Sequence, residues 1–317
     1  MKNWKKEEIQ AVIKESLPES LVVTDHDEKG HWYKVMDGSN ARYPSVTGKL
    51  QILKDQGIAE WKMNRSLDYV FENYNLFNDS NVMEHLDAAR KVPVDMFHDA
   101  GDIGTDIHDY REKYFRDWIR TGRCPSDILS YIPKEKEDIR AVSALRALKK
   151  FIDDYHYEPI ATELLVYSHK LKTAGMLDDL GFVRVTKEEG DPNCPHDDIM
   201  ELDNQNGRKP NQYKCVKCGY KYRKVLVLID LKTSNQFKSH YFIQVGLYNT
   251  MLRENTGLKV DKGYILKVNK KDGTYKLEDL RQLGRLSSIG RSVIAVNNGL
   301  QHIKMLRKNN LKKVIKI

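Results

Sequence analysis

The feature that most constrains the fold is an apolar run at residues 225–229, Val-Leu-Val-Leu-Ile, followed directly by Asp230-Leu231-Lys232. A continuous run of branched apolar side chains, without alternation, predicts a β-strand that is covered on both faces. Such strands lie in sheets that have helices on both sides, so the run predicts an α/β domain. Asp230 and Lys232 are two positions apart, and a strand therefore places both side chains on the same face.

The spacing of apolar residues predicts the elements around this strand. A short helix and a hairpin come first, and the helices predicted next cover residues 45–53, 61–71, 82–98, 105–120 and 135–155, with Gly101 and Gly104 between the third and the fourth. The strands and helices predicted after them are a strand at 160–168, a strand near 175–178, the strand at 225–233, a helix at 237–253, strands at 259–268 and 274–277, and a helix at about 281–308. The order helix, three strands, helix, strand predicts a mixed sheet flanked by helices.

Two carboxylates are expected at the ends of neighbouring strands. Asp178 is expected at the end of the strand before the apolar run, and Asp230 lies at the end of the run itself. Hard cations such as Mg²⁺ and Mn²⁺ take oxygen ligands, often one or two carboxylates together with substrate phosphate. Lys232 can then stabilise negative charge on a phosphate or orient an attacking water. A surface ion pair at the end of a strand is the competing interpretation of the tripeptide.

The residues around the tripeptide resemble the RecB-like branch of the PD-(D/E)XK nuclease superfamily. The matching elements, in chain order, are Gly104-Thr105-Asp106-Ile107-His108 for G-x-x-x-H, Glu163 on the first strand, Gly175-Met176-Leu177-Asp178 for G-x-x-D, Asp230-Leu231-Lys232-Thr233 for D-x-K-[ST], and Gln244-Val245-Gly246-Leu247-Tyr248 for Q-x-x-x-Y. Upstream, Tyr43-Pro44-Ser45-Val46-Thr47 and Trp61 look like the entry segment of phage-type and mitochondrial genome maintenance exonucleases. The resemblance covers residues 40 to 270 and implies a restriction-endonuclease-like core.

The resemblance also implies a role for each matching residue. The ligands that it implies for a catalytic Mg²⁺ or Mn²⁺ are His108, Asp178, Asp230 and the backbone carbonyl of Leu231. Lys232 would assist the attacking water, Glu163 would support the site, and Gln244 and Tyr248 would brace it or touch the substrate backbone. Each residue also has a simpler interpretation: a polar helix residue for His108, a surface ion pair for Glu163, a solvated side chain for Gln244 and core packing for Tyr248.

A polar, turn-rich insertion at residues 188–224 separates Asp178 from Asp230 by 52 positions. It contains Cys215-Val216-Lys217-Cys218-Gly219, a pair of thiols with the spacing of a zinc knuckle, and Cys194 and His196 can complete four ligands. The insertion is therefore expected to be a ribbon around structural Zn²⁺. The alternatives are free thiols, Cys124 in place of His196, and an iron–sulfur cluster, which would need four Cys ligands.

The charge pattern favours a polyanionic partner. The chain carries a formal charge of +8, and its last 17 residues contain six Lys or Arg and no Asp or Glu. Lysines and tyrosines alternate in the insertion, an arrangement suited to phosphate contact and base stacking, although a solvated ribbon surface explains it equally well. The residues expected to contact nucleic acid are Ser45, Thr105, Lys217, Tyr220 and Thr233.

Three parts are expected: an N-terminal hairpin and helical region at 1–134 that contributes His108, a nuclease core at 135–317, and the ribbon at 188–224 within that core. The predicted function is a metal-dependent deoxyribonuclease in DNA replication, recombination or repair, acting as an exonuclease on single strands or free ends. A structure-specific endonuclease and an inactive zinc-containing DNA-binding accessory protein are the alternatives.

The sequence also gives expectations for partners and location. The chain has no P-loop, so a helicase or recombination partner would be a separate chain. The apolar run of five residues is far shorter than a bilayer span, and the charged N-terminus lacks the apolar stretch of a secretory signal. A cytoplasmic location, in a bacterium or a phage-infected cell, is therefore expected.

Overall fold

The protein forms a mixed β-sheet flanked by helices in a computed structural model, which describes residues 4–27, 30–53, 57–186, 194, 198–202, 212–234 and 236–314, the last seven of them by backbone only. The helices are α1 Lys6–Ser16, α2 Val46–Lys49, α3 Gly57–Asn73, α4 Val82–Thr121, α5 Ile139–Tyr155, α6 Ser239–Thr256 and α7 Leu283–Val314. The strands are β1 Val22–Asp27, β2 Gly30–Val35, β3 Arg42–Pro44, β4 Glu158–Ser168, β5 Thr173–Val185, β6 Ile199–Glu201, β7 Gln212–Cys215, β8 Lys221–Lys232, β9 Lys262–Val268 and β10 Tyr275–Leu280.

The main sheet has the strand order β10-β9-β8-β5-β4, and β6 and β7 extend it beside β8. The pairing of β8 with β9 is parallel and the other pairings are antiparallel. A parallel neighbour needs a crossover, and α6 supplies it between β8 and β9. These pairings confirm the α/β class with a mixed sheet and flanking helices.

The β8 strand lies between two hydrophobic layers. Leu226 and Leu228 pack in a cluster that includes side chains of α1 and α6. The intervening Val227 and Ile229 pack in a second cluster with α5 and the second half of α4. Because both faces are covered, the strand carries apolar side chains at consecutive positions, which is the physical basis of the apolar run.

A small antiparallel sheet of β1, β2 and β3 follows α1. The predicted hairpin corresponds to β1 and β2, and β3 adds a third strand. It joins the main sheet through a bridge between Ser45 and Ala174 of β5, and the Thr173 hydroxyl donates to the Pro44 carbonyl at 2.9 Å. Ser45 caps α2 by accepting a hydrogen bond from the Gly48 amide at 3.0 Å. This contact brings the segment around Pro44 and Ser45 beside the Gly175 element.

The prediction of separate helices at 82–98 and 105–120 is wrong. One helix of 40 residues, α4, runs through Pro93, Gly101 and Gly104. Pro93 lacks the amide donor of a helix interior, but it is buried in α4, which packs against α3. Gly104 is required for packing and does not end a helix, because a Cβ there would lie 3.0 Å from the Thr233 hydroxyl oxygen.

Two strand boundaries also differ from those predicted. β5 continues past Asp178 to Val185, so Asp178 lies inside a strand and not at its end. β8 begins at Lys221, inside the predicted insertion, and is one 12-residue strand that joins the ribbon to the core. None of the helices among the described residues has the length and apolarity needed to cross a bilayer.

Candidate metal and catalytic site

The two carboxylates meet where β5 and β8 separate. Backbone pairing between these strands runs from Val185↔Arg223 to Asp179↔Ile229 and stops there. At the next step, the Asp178 carboxylate accepts a hydrogen bond from the Leu231 amide at 2.7 Å. The side chain of Asp178 thus takes the place of a backbone partner, which leaves a gap between the middle of β5 and the carboxyl end of β8 that Asp178 and Asp230 flank.

Glu163 lies on β4, which pairs with β5 on the side away from β8. Its neighbours pair as Thr162↔Asp179 and Leu164↔Leu177, so Glu163 stands opposite Asp178. Glu163 has φ +49°, in the left-handed region that non-glycine residues seldom adopt inside a strand. Such a conformation costs on the order of 1–3 kcal/mol and persists only where surrounding contacts hold it. Here the contact is an ion pair between the Glu163 carboxylate and the Arg111 guanidinium.

Helix α4 contributes His108 and Arg111, which are three residues apart and therefore on one face. The Arg111 side chain has no exposed surface, and its guanidinium lies 3.2 Å from Asp179 and 3.6 Å from Asp178. His108 Nδ1 lies 4.0 Å from the same Asp178 oxygen, and the His108 side chain is 30% exposed. One turn of α4 thus places a partly exposed imidazole, that of His108, beside the gap and a buried guanidinium, that of Arg111, behind it.

The β8 pair occupies the other side of the gap. Lys232 Nζ lies 2.7 Å from Asp230 Oδ2, with the Asp230 side chain 1% exposed and that of Lys232 17% exposed. The ammonium also lies 4.9 Å from the centre of the Tyr241 ring. Asp230 Oδ1 is buried and accepts no hydrogen bond from any described residue. An unpartnered buried carboxylate oxygen is costly, and it is an available ligand atom.

Negative charge exceeds permanent positive charge in this cluster. The carboxylates are Glu163, Asp178, Asp179 and Asp230, and the permanent cations are Arg111 and Lys232. Burial raises the pKa of Asp179 to about 6, of Asp230 to about 7 and of Glu163 to about 8. Burial also raises the pKa of Asp178, but His108, Arg111 and Lys232 outweigh it and hold that pKa below its ordinary value. With all four carboxylates ionised the cluster would carry two excess negative charges, which a divalent cation would balance, and without a cation the raised pKa values leave Glu163 and part of Asp230 protonated at pH 7.

His108, Glu163 and Asp178 each offer a ligand atom, and these atoms lie within 4.8 Å of one another. Burial lowers the pKa of His108 to about 4, although Asp178 opposes the shift, so the imidazole is neutral at pH 7. A neutral imidazole has a free lone pair for a metal. Together with the unpartnered Asp230 oxygen, the donor set of one imidazole and several carboxylates fits Mg²⁺ or Mn²⁺.

Gln244 and Tyr248 lie beneath the site in α6. The Gln244 amide donates to the Tyr248 hydroxyl at 2.9 Å, and both side chains are buried. The Tyr248 ring packs on Gly175, where an added Cβ would lie 2.7 Å from a ring carbon. Of the two roles implied by the resemblance, only bracing is compatible with this burial. Gly175 of the G-x-x-D element and Tyr248 of the Q-x-x-x-Y element thus pack directly against each other.

The cysteine cluster lies at the other end of β8. Sulfur atoms of Cys194, Cys215 and Cys218 lie within 4.8 Å of one another, and the first two are 3.6 Å apart. Three converging thiols fit Zn²⁺, which takes four ligands in structural sites. His196, the expected fourth ligand, lies outside the described residues. Cys124 contacts the Tyr114 hydroxyl at 3.2 Å and is not among the cysteines of this cluster.

The residues expected to contact nucleic acid divide into two groups. Thr105 and Lys217 are exposed, and Thr233 is half-buried against Gly104. Ser45 is largely buried and its hydroxyl caps α2, so it has a local structural role and little surface for substrate. Tyr220 is half-buried.

The tyrosines of the ribbon stack on one another. The Tyr220 ring lies 5.8 Å from that of Tyr222, and Tyr222 stacks in turn on Tyr213 at 5.3 Å. Arg184 lies over Tyr222 and Lys224 over Tyr213. These faces are therefore already used within the protein, which limits the base stacking expected from the sequence.

Sequence reasoning missed two members of the site, Arg111 and Asp179. Arg111 follows His108 by three positions and Gly104 by seven, so helical spacing alone places it on the face that meets the sheet. Asp179 adjoins Asp178, and its carboxylate accepts a hydrogen bond from the Thr162 hydroxyl at 2.8 Å. A charged pair inside an otherwise apolar strand was the signal for Asp179, since such a residue needs a buried partner.

Comparison with known proteins identifies no family. No protein-family model matches the chain, and no curated protein does. A solved structure described as "Crystal structure of SSO0001" aligns over 59% of this chain and 72% of its own length, with 15% identity and a TM-score of 0.21. A likeness of that size carries no argument about fold or activity.

Proposed function

We propose that the protein is a metal-dependent deoxyribonuclease with a core of the PD-(D/E)XK type. One observation carries the proposal: His108, Glu163 and Asp178 converge beside the Asp230–Lys232 pair where two central strands separate. The cluster sets four carboxyl groups against two permanent cations and has an unpartnered Asp230 oxygen, so it is suited to a divalent cation. The ordered sequence elements around it support nuclease chemistry over other uses of a cation.

His108, Asp178, Asp230 and the Leu231 carbonyl would hold Mg²⁺ or Mn²⁺. When bound, the cation would polarise a phosphoryl oxygen and make water a better nucleophile. Lys232 keeps a positive charge at the opening, because Asp230 and Asp178 raise its pKa although burial lowers it. Its ammonium can neutralise a non-bridging phosphate oxygen or orient the attacking water. Arg111 contacts carboxylates from inside the protein and holds Glu163 and Asp178 in position.

A cleavage time course with end-labelled single- and double-stranded DNA tests this proposal. Cleavage is expected with Mg²⁺ or Mn²⁺ and not with EDTA. Asp230→Ala and Lys232→Ala should each abolish cleavage while the circular dichroism spectrum and the cooperative melt are retained. Asp153→Ala, which removes an exposed carboxylate on α5, is the matched control and should cleave normally. Undiminished cleavage by both site variants would overturn the assignment.

A DNA-binding accessory protein with an inactive core is the second candidate. The observation that favours it is Arg111, which already contacts Glu163, Asp178 and Asp179 and satisfies part of their charge without a metal. This candidate predicts DNA binding that is unaffected by Mg²⁺, and no cleavage of any DNA substrate. Metal titration followed by calorimetry separates the two, because only the nuclease requires a Mg²⁺ or Mn²⁺ site that Asp230→Ala removes.

We infer that the cysteine cluster is a structural zinc site within a ribbon of β6, β7 and the start of β8. The support is the convergence of three thiols and the turn at Gly219, which has φ +77°. Glycine adopts that conformation without strain, so the chain can reverse between Cys218 and β8. Metal analysis by mass spectrometry is expected to find zinc, and iron with sulfide would overturn this inference.

A further inference from the structure

Three lysines lie side by side across three neighbouring strands. Lys232 of β8 is in register with Lys267 of β9, and Lys267 is in register with Lys276 of β10. Strands lie about 4.8 Å apart, so the three backbone positions span about 10 Å. Lys232 belongs to the proposed catalytic site, and β10 is the edge of the sheet. The row therefore leads from the site to the edge of the molecule's main sheet.

The three side chains share one face of the sheet. Partners in register point to the same side, and side chains two apart along a strand do so as well. Ile265, two positions before Lys267, packs in the core cluster that contains side chains of α6. Leu280, four positions after Lys276, packs in that cluster too. This is the face on which Asp230 lies, because Asp230 is in register with Ile265.

Like charges directly opposite one another in a sheet are destabilising. The Lys232 charge is offset by Asp230, and the Lys267 ammonium lies 5.4 Å from the centre of the Phe237 ring. Lys276 is exposed and makes no ion pair with any described residue. Glu278 is exposed on the same face of β10, two positions further along, and does not stand opposite Lys267. A polyanion would offset the charge of Lys276 beside the lysine in register with it.

We propose that Lys267 and Lys276 extend the site into a track that binds the phosphates of a single nucleic-acid strand next to the scissile one. The strand would cross the carboxyl end of β9 and leave the site over β10. The inference rests on the proposed function for the position of the scissile phosphate. The track places the substrate strand on the β9–β10 side of the site. It assigns phosphate binding to Lys267 and Lys276, which are outside the proposed catalytic set.

Binding of a fluorescein-labelled single-stranded oligodeoxynucleotide in EDTA tests the track without cleavage. Lys267→Gln and Lys276→Gln are each expected to weaken binding about threefold to tenfold at low salt. Each should also lower the slope of log K against log salt by about 0.7, the value for one phosphate contact on a single strand. Lys267→Arg and Lys276→Arg should retain the slope. Lys149→Gln on α5, on the opposite face of the sheet, is the charge-matched control.

The melting temperature separates a binding role from a structural one. Because Lys276 is exposed and forms no ion pair with a described residue, Lys276→Gln removes like-charge repulsion and should melt at or above the temperature of the wild type. A Lys276→Gln variant that melts lower, or Gln variants that bind DNA with the wild-type slope, would overturn the track. A wild-type protein that does not bind the oligonucleotide at all would overturn it as well.

Failure of the track and failure of the nuclease proposal give different results. If the protein binds DNA through Lys267 and Lys276 but cleaves no DNA, the result supports the track and contradicts the nuclease proposal. If the protein cleaves DNA but its Lys267→Gln and Lys276→Gln variants bind DNA like Lys149→Gln, the result supports the nuclease proposal and contradicts the track. Where cleavage occurs, the Gln variants should raise KM and change kcat little, because they act on substrate away from the reacting atoms.

Discussion

Arg111 shows how a single residue can fix the geometry of a charged cluster. It is an arginine with no exposed side-chain surface, and it contacts three carboxylates that come from two strands. A guanidinium presents its donors in a rigid planar fork, so it sets the positions of the acids around it. The left-handed φ of Glu163 persists beside this contact. At the residue scale, therefore, the proposed site depends on a side chain that itself need not touch substrate.

Removal of this buried cation is expected to be costly. Arg111→Ala leaves Glu163, Asp178 and Asp179 without their shared partner, and breaking a buried ion pair typically costs about 3–5 kcal/mol. Arg116→Ala is the matched control on the same helix. Its side chain is 53% exposed and pairs with Glu112 on the surface, so its loss should cost less than about 1 kcal/mol. Urea denaturation that gives equal losses for the two variants would contradict the role of Arg111.

The Gly175–Tyr248 contact gives a second prediction at this scale. Gly175→Ala places a methyl group 2.7 Å from the Tyr248 ring, and overpacking of this kind typically costs about 1–3 kcal/mol. Gly299→Ala in α7 is the control, because no atom of the described residues lies within 4 Å of its added Cβ. It should be neutral or stabilise the protein by up to about 1 kcal/mol. Free energies of unfolding from urea titrations measure both.

A double-mutant cycle checks that the Gly175 effect acts through Tyr248. If the methyl group clashes with the ring, Gly175→Ala should cost much less in a Tyr248→Ala background than in the wild type. Additive costs in the two backgrounds would show that the clash has another origin.

At the scale of elements, β8 connects the two proposed metal sites. Its first residues pair with β7 in the ribbon, its middle pairs with β5 and β9, and its last residues are Asp230, Leu231 and Lys232. A strand is stiff along its length when it is paired on both sides. The position of the catalytic end is therefore set by the sheet, and the ribbon anchors the opposite end of the same strand.

The cysteine cluster yields a prediction for this element. Cys215→Ser should reduce the zinc content from about one ion per chain to near zero, because structural sites need all four ligands. It should also lower the melting temperature, since binding of a structural metal contributes to folding. Cys124→Ser is the control, as Cys124 is outside the cluster, and it should retain zinc. Zinc content by mass spectrometry, unchanged in Cys215→Ser, would contradict the assignment.

At the scale of the whole molecule, the proposed site lies between helix α4 and the sheet. α4 carries His108 and Arg111 in its second half, and its first half packs with α3, which has no buried residues of its own. Exposed apolar side chains remain on α3, among them Phe71 at 72%. The pair of helices is the feature that could guide a strand towards the site, as expected of an enzyme acting on DNA ends.

End dependence is therefore the prediction that belongs to the whole molecule. A linear single strand should be degraded in the presence of Mg²⁺ or Mn²⁺, and a covalently closed circle of the same sequence should be cut at a small fraction of that rate. The comparison is made by denaturing gel electrophoresis under matched concentrations. One nick introduced into the circle should restore the rate. Equal rates on the circle and the linear strand would indicate an endonuclease.

The sequence determined the features that depend on local periodicity and residue type. The buried strand, the mixed sheet, the crossover helix α6 and the pair Asp230 and Lys232 could all be predicted from spacing alone, because side-chain direction repeats every two residues in a strand and every 3.6 in a helix. The Cys215-x-x-Cys218 pair could be predicted from the ligand spacing of a zinc knuckle.

The tertiary structure decided what depends on contacts between distant segments. It placed Arg111 among three carboxylates, continued α4 through Pro93 and two glycines, and kept Asp178 inside β5. It also aligned Lys267 and Lys276 with Lys232. Register between strands and close approach between a helix and a sheet arise from packing of the whole chain, so no local pattern encodes them. The tripeptide Asp230-Leu231-Lys232 acquires its chemical setting only from these long-range contacts.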